Sequence, residues 1–529
     1  MFDLILRNGT IVDGTKAPRY GADVGIRGDR IVQIGELGGA PSQAEIDATG
    51  KVVAPGFVDV HNHSDGWLLK TPHLFSNTSQ GFTTEVIMAD GISYAPVRPE
   101  NVNDWIYYLR GLNALQQEEY TGWESLGDYM ALLDGANVQN SIAHVPYANC
   151  RVLACGWRRD KPDDYAMKLI LDEIEAGMAA GAVGLSTGMD YVAQCFADTD
   201  ELVEACLPLV AQQGLYVTHM RYKKGVLEGL KEAVEIGRRA GVPVHISHLK
   251  GPTPEQTEQI MEYINTVAVN EVDFSFDVYP YMPGSTMLNY LLPYEVWEDG
   301  PLGVVRHLTR PDIRARFAQS LRAFPLDQTH IAWLGGKENS QHQGKLLSDY
   351  ITERGLSPAD ALCDLLIEEN LTVLLVLSSG DDQEIEPFLS HPNYMMGSDG
   401  IFHQGPPDDS SAVHPRQYGS TARVLGPCVR DRGLFSLEEA VYKLSGYPAQ
   451  RFGLTKRGQV REGWFADLVL FDSATVGDNA TYTEPHKYSS GIEHVIVNGI
   501  QIVENGQPVD SQGAQLPGRS LRFKEMDSG

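Results

Sequence analysis

The stretch Gly56-Phe57-Val58-Asp59-Val60-His61-Asn62-His63-Ser64-Asp65 starts apolar and ends polar, the form of a short buried strand that delivers side chains to a site at its C-terminal end. Residues two apart on a strand point to one face, so His61 and His63 can serve one metal ion together. Alone, such a pair is a weak signal, because most buried histidines are ordinary core residues. Its weight depends on how the other strands of the chain end.

The middle of the chain repeats the same form. Strand candidates cover 56–63, 82–90, 140–147, 181–188, 215–220, 243–249, 273–281 and 394–400, with helical stretches such as 163–181 and 228–241 between them. Eight strands joined by crossover helices predict an α/β chain built as a (β/α)8 TIM-like barrel over 54–454. In such barrels chemistry gathers where the strands end, and these end in His61 and His63, Asp90, His144, His219, His248, Tyr279 and Asp399. The chain has 15 histidines among 529 residues, too few for so many to reach that one position without a purpose. His61, His63, His219 and His248 with Asp399 therefore predict a metal centre. His144 is read as a core or supporting histidine, and Asp65 as a support or rim residue.

Outside the middle the texture changes. Residues 1–53 and 455–529 are rich in short β-type runs, with Asn8-Gly9, Arg27-Gly28-Asp29 and Asn498-Gly499 as hairpin-turn candidates. They predict one small β-sandwich formed by both chain ends, with the barrel inserted into it. The runs at 330–336 and 371–380 do not fit an eight-strand count, and 284–346 is read as an insertion or lid near the barrel mouth. The tail after Gln507 reads as extended and polar.

Composition limits the partners. The formal charge of -28 would repel nucleic-acid phosphates and anionic headgroups, and no apolar run is long enough to span a bilayer. Neither nucleic acid nor membrane is expected. Six dispersed cysteines without a C-x-x-C pair, and a start lacking a signal-like stretch, predict reduced thiols and a cytoplasmic location.

The segments GFVDVHNHSD, YVTHMR, ISHLK, DVYPY-x-x-GST and GSDG, with ADLVLFD and VNG behind them, resemble the amidohydrolase superfamily, and within it the N-acyl-D-amino-acid deacylases (D-aminoacylases). The later stretches 414–420, 451–472 and 485–499 continue the resemblance in order and spacing. It implies that His61, His63, His219 and His248 are metal ligands, that Asp399 is the catalytic acid/base, and that Tyr191 helps polarise the scissile carbonyl. It also implies that Lys250, Tyr279, Ser285 and Arg416 hold the substrate carboxylate and nearby polar groups.

One departure stands out. Where the family usually has Gly-Asn-Cys-Gly, this chain has Ala89-Asp90-Gly91, so Asp90 replaces a ligating or bridging cysteine. A bridging carboxylate makes a harder site for one or two divalent ions, with Zn2+ expected and Mn2+ or Co2+ as alternatives. The other reading is that Asp90 only hydrogen-bonds and the centre is mononuclear. The fourth strand lacks the lysine that is carboxylated in cyclic-amide hydrolases. The activity implied is metal-dependent hydrolysis of an N-acyl-D-amino acid to a carboxylate and a free D-amino acid. Rivals are a cyclic-amide, D-dipeptide or isopeptide hydrolase, and a barrel scaffold without catalysis. Side-chain preference, metal identity and oligomeric state are not readable at this level.

Overall fold

The computed structural model describes residues 1–113, 115–378, 380–401, 411–510 and 515–525. Both chain ends build one nine-stranded sheet. Strand Val52–Pro55 joins them, running parallel to Phe2–Ile11 and antiparallel to Leu468–Phe471. Its residues alternate: Val53, with Leu468 and Leu470, faces the sheet's own core, whereas Val52 and Ala54, with Val469 and Phe471, join the large core of the barrel. Both faces are covered, which is why these strands read as continuous apolar runs.

Two of the three expected turns are hairpins. Gly28 turns between Tyr20–Arg27 and Arg30–Gly35, and Asn498-Gly499, both at positive φ, turns between Ile492–Val497 and Ile500–Glu504. Asn8-Gly9 corrects the expectation. The pair lies inside the single strand Phe2–Ile11, where the register against Tyr20–Arg27 shifts between Leu6 and Gly9 as in a β-bulge. A Cβ at Gly9 would stand 2.6 Å from Val53 Cγ2, so glycine here serves strand packing and not a turn.

The middle is a TIM-type ring of parallel strands. In order they are Phe57–Asp59 continuing at Asn62–His63, Phe82–Ile87, Asn140–Ala143 continuing at Val145–Pro146, Gly184–Gly188, Leu215–His219, Val244–Ile246, Phe274–Asp277, and Tyr394–Met395 continuing at Gly400–Ile401. Each pairs in parallel with the next. Gly400–Ile401 pairs back with Asn62–His63, so the ladder returns to its first strand. Crossover helices include Asp164–Ala179, capped by the Asp163 side chain, and Val226–Ala240, ended by Gly241 at φ 74°.

The ring is filled below the site by Val58, Val60, Val86, Ile142, Val183, Leu215, Val217 and Met395, against Phe452 and Leu454. The tail helps to close it. Leu521 and Phe523 pack on this cluster, and Leu521 N–H donates to Ser141 O at 2.7 Å.

Between the seventh and eighth ring strands the chain makes a long excursion. Ser285–Met287, Val373–Leu377 and Thr329–Leu334 form a separate antiparallel sheet. The two runs that did not fit the eight-strand count are the last two of these. Val373–Leu377 is apolar because it is the central strand of that sheet. The excursion therefore extends well past the 284–346 segment expected as an insertion. Among the described residues no helix is long and apolar enough to cross a membrane.

Candidate metal centre

Asp90 is the hub of the site, and its position depends on a strained turn. After Phe82–Ile87 the backbone passes through left-handed conformations at Met88 (φ 64°) and Asp90 (φ 58°). Such residues cost about 1–3 kcal/mol each and persist only where neighbours hold them. Here buried Asp65 accepts from Met88 N at 2.9 Å, Ser93 Oγ at 3.0 Å and Asn113 Nδ2 at 2.8 Å. Ser186 Oγ donates to Met88 O at 2.7 Å, and Gln194 Nε2 donates to Asp90 O at 2.8 Å. A Cβ at Gly91 would lie 2.3 Å from Gln194 Oε1, so the third residue of the turn has to be glycine.

The four histidines close on that carboxylate. His61 Nε2 lies 3.5 Å and His248 Nε2 3.9 Å from Asp90 Oδ1; His63 Nε2 lies 3.7 Å and His219 Nδ1 3.9 Å from Oδ2. His219 Nδ1 and His248 Nε2 are 3.0 Å apart. Two groups of three donors result, His61–His63–Asp90 and Asp90–His219–His248, each compact enough to hold a metal ion. Asp90 belongs to both, as a bridging carboxylate would.

The donor set fits divalent cations on other grounds. His61 Nε2 and Asp90 Oδ1, which face each other across the first donor group, are buried without a hydrogen-bond partner among the described residues, which is costly unless something else satisfies them. Burial alone would lower the His61 pKa, yet the charges of Asp90, Asp277 and Asp399 push it up to about 10. These surroundings demand positive charge. Acceptors also stand behind the rings: Asp277 Oδ2 is 3.7 Å from His61 Nδ1, Asp190 Oδ2 is 3.5 Å from His219 Nε2, and Tyr222 Oη is 3.2 Å from His248 Nδ1. Partners of this kind fix tautomer and ring orientation in metal sites. Asp277, Asp190 and Tyr222 are not found by reading only the last polar residue of each strand: Asp277 lies two residues before Tyr279, Asp190 two residues beyond a fourth strand with no such end, and Tyr222 three residues after His219.

Asp399 lies beside the first group, its Oδ1 3.2 Å from His63 Nε2 and 3.7 Å from His61 Nε2. Its backbone is left-handed (φ 48°) and is pinned by Asp399 N donating to His61 O at 2.7 Å and by Ser398 Oγ donating to Asp59 Oδ2 at 2.6 Å. A Cβ on the preceding Gly397 would lie 2.7 Å from His61 Cβ. Burial would raise the Asp399 pKa, but the Arg416 charge, with His63, holds the carboxyl well below its usual range. Fully buried Arg416 pairs with Asp399 Oδ2 at 2.9 Å through Nη1 and donates to Ser285 O at 3.3 Å through Nη2, while its Nε has no partner.

The remaining expected residues gather at the same mouth. Tyr279 lies between two cations, with Lys250 Nζ 3.6 Å and the Arg416 guanidinium carbon 4.4 Å from its ring centroid. Lys250 donates to three carbonyls, Tyr281 O at 2.8 Å, Met282 O at 2.9 Å and Pro283 O at 3.2 Å. Its ammonium protons are thereby committed to the protein. Ser285 Oγ is likewise taken, by Leu375 O at 2.8 Å. Tyr191 lies against His219 with the rings tilted by 50° and 4.6 Å between centroids, and burial pushes its phenol pKa well up, so it stays protonated. A pocket of about 360 Å3 opens over His63, His219, His248, Tyr191 and Asp399. His144 stands apart: it is buried, 5.9 Å from the Phe452 ring, and belongs to neither donor group.

The amidohydrolase family profile matches residues 44–287 and 385–503, and the gap between the two stretches falls in the excursion. The chain is 35% identical over 506 residues to the D-aminoacylase of Alcaligenes xylosoxydans xylosoxydans, covering 95% of this chain and 94% of that one. Its fold matches a crystal structure of N-acyl-D-glutamate deacylase from Bordetella bronchiseptica, complexed with zinc and a phosphonate mimic of the tetrahedral intermediate. The TM-score is 0.83 and the identity 32%, over 98% of this chain and 99% of that one. It matches equally a D-aminoacylase structure concerned with the role of a binuclear metal centre, at TM-score 0.81 and 33% identity, over 99% and 100% of the two chains. With a profile on both sides of the excursion and such a relative along nearly its whole length, this chain belongs to the amidohydrolase family, in its N-acyl-D-amino-acid deacylase (D-aminoacylase) branch.

Proposed function

We propose that this protein hydrolyses the amide of N-acyl-D-amino acids, giving a carboxylate and a free D-amino acid, with one or two divalent ions held by His61, His63, Asp90, His219 and His248. The observation that carries this is the pair of donor groups sharing Asp90 beneath a pocket that also contains Asp399. Zn2+ is the first choice, on the donor set and the zinc complex of the glutamate deacylase, with Mn2+ or Co2+ as alternatives. When bound, such an ion polarises the substrate carbonyl and makes water acidic enough to attack near neutral pH.

Asp399 starts the cycle ionised, because Arg416 and His63 stabilise its charge. It takes a proton from the attacking water as the new C–O bond forms, then delivers that proton to the departing nitrogen as the C–N bond breaks. Tyr191 keeps its proton and donates a hydrogen bond to the oxygen on which negative charge develops. The Arg416 guanidinium is the cation for the α-carboxylate, with Tyr279 holding its plane. In this reading Lys250 and Ser285 act indirectly: Lys250 fixes the 281–283 turn, and the Ser285 carbonyl orients Arg416.

The side chain of the amino acid is uncharged. The described wall of the pocket includes Leu112, Val226, Met282, Met287, Leu377 and Ile401, and its one lysine is committed to carbonyls. A second substrate carboxylate would be buried unpaired, which is costly. We read 1–53 with 455–529 as a small sandwich domain whose last described residues cross to close the underside of the barrel, 54–454 as the barrel, and 284–346 as part of a lid. A cytoplasmic location is in keeping with six cysteines that form no disulfide.

A panel of N-acetyl-D- and L-amino acids assayed with defined metals tests this. Amine release from N-acetyl-D-leucine or D-methionine is expected, with none from the L forms and turnover at least about 100-fold lower for D-aspartate and D-glutamate derivatives. Turnover of cyclic amides or D-dipeptides in place of all of these would transfer the site to the rival hydrolase reading.

A further inference from the structure

Behind the His219 side of the centre lies a carboxylate that no chemical step above uses. Asp190 is buried, two residues beyond the strand Gly184–Gly188, and its Oδ2 faces His219 Nε2 at 3.5 Å. That is the ring nitrogen directed away from Asp90, since Nδ1 is the one that faces Asp90 and His248. From the other side Asp190 is gripped by the excursion. The Tyr290 hydroxyl donates to Oδ2 at 3.2 Å, and the Tyr294 hydroxyl donates to Oδ1. Lys223 completes the junction: its backbone N–H donates to Asp190 Oδ2 at 3.2 Å, and its Nζ donates to Leu292 O at 3.2 Å. The same ammonium lies 4.8 Å and 4.7 Å from the Tyr290 and Tyr294 ring centroids.

Tyr290 is also a wall of the pocket, with its ring 5.9 Å from His219 and 5.7 Å from Tyr191. One carboxylate thus touches a metal-ligating histidine and the segment that walls the substrate. We propose that Asp190 is a positioning residue that latches segment 288–297 onto His219, so that metal loading and closure of this wall are one coupled equilibrium.

The coupling follows from the tautomer. A neutral imidazole has one N–H, and ligation through Nδ1 requires it on Nε2, whose facing acceptor is Asp190 Oδ2 at 3.5 Å, a separation that a small turn of the ring closes to a hydrogen bond. Asp190 reaches that position because Tyr290 and Tyr294 hold it from the excursion and the Lys223 N–H holds it from the turn after the fifth ring strand. Removing those phenols frees the carboxylate to turn, and His219 loses the group that fixes its tautomer and ring plane. Linkage makes the effect reciprocal: whatever factor the latch adds to metal affinity, metal adds to the population of the latched segment.

The inference rests on His219 being a ligand, and the experiment separates the two. Full-length protein is stripped with a chelator and reloaded with Zn2+ or Co2+. Wild type, Asp190→Asn, the double variant Tyr290→Phe/Tyr294→Phe and His219→Ala are compared by chelator competition, by the visible Co2+ spectrum, and by deuterium uptake over 288–297. Asp190→Asn is expected to weaken the more tightly dependent metal by about 10- to 100-fold and to shift the Co2+ bands. The double variant, which removes two hydroxyls and keeps both rings and every donor atom, is expected to weaken it in the same direction by a smaller factor. Metal should slow deuterium uptake over 288–297 in wild type but not in Asp190→Asn. Metal affinity in both latch variants within twofold of wild type overturns the latch, as does uptake over 288–297 that ignores metal in wild type. Full metal content and an unchanged Co2+ spectrum in His219→Ala would remove the ligand assignment beneath it, and the latch with it.

Discussion

Histidines occupy two tiers inside the ring of strands. His61, His63, His219 and His248 form the upper tier around Asp90, and His144 and His245 lie deeper, both against the ring of Phe452 at 5.9 Å and 5.4 Å. All are buried or nearly so, and His245 is only three residues before His248 on the same segment. What separates the tiers is how many carboxylates other strands bring: His245 meets Asp277 alone, whereas several converge on the upper tier. Asp90 and Asp399 enter the upper tier from the second and eighth strands, and positive charge is favoured there in spite of burial.

Below, His245 is satisfied by Ser275 Oγ at 2.8 Å and Asp277 Oδ2 at 2.9 Å. His144 has no hydrogen-bond partner, and burial, with the nearby His245 and His61, lowers its pKa to about 3. Asp277 joins the tiers, because the oxygen on His245 is also 3.7 Å from His61 Nδ1, while its other oxygen accepts the His248 N–H at 2.9 Å. A buried histidine thus becomes a candidate metal ligand or a core residue according to how many carboxylates converge beside it, and the histidine's own position in a strand does not decide.

The contrast can be broken from the top first. Asp399→Asn removes the proposed proton carrier but not a member of either donor group, so turnover is expected to fall by about 10^2- to 10^4-fold with metal content unchanged. Ordinary turnover with metal bound would end the acid/base assignment, and loss of metal would move Asp399 into the ligand set. Asp90→Ala takes the shared oxygen donors from both groups. Metal content measured by atomic emission is expected to drop by at least half, with activity falling about 10-fold or more. Retention of all metal would mean that Asp90 only hydrogen-bonds and that the two groups do not share it.

His144→Leu tests the lower tier and should have the smallest effect on activity, within about twofold, with metal content unchanged. Its signature lies in stability. A histidine whose folded pKa is about 3 favours the folded state above the unfolded value near 6.5, and that advantage is lost as pH falls from there through 3. The wild-type loss on acidification from this group is up to about 5 kcal/mol. The variant should therefore lose less thermal stability than wild type between pH 7 and pH 4. An unchanged pH slope would show that His144 is not buried and neutral in the folded protein.

Much of this was legible in the residues. The eight strand candidates are the eight segments of the ring, in order, because buried parallel strands are short apolar runs and their polar ends stand out against them. His61, His63, Asp90, His219, His248 and Asp399 do meet, since every parallel strand of a barrel ends on the same rim. Asn8-Gly9 was misread because a bulge and a hairpin turn use the same residue types; only the packing of Val53 against Gly9 distinguishes them. Lys250 was expected at the substrate, and its commitment to three carbonyls depends on a turn 31–33 residues away in sequence.

The sequence by itself determined the parallel ring, the added sheet from both chain ends, and the residue types available at the rim, because these follow from local periodicity and from which strands carry polar ends. It took the folded arrangement to show that Asp90 faces both histidine pairs, that Asp277 and Asp190 stand behind His61 and His219, and that the excursion grips Asp190 through Tyr290 and Tyr294. These are contacts between segments tens to hundreds of residues apart. Their distances are set by ring closure and by held left-handed turns, which no local pattern encodes.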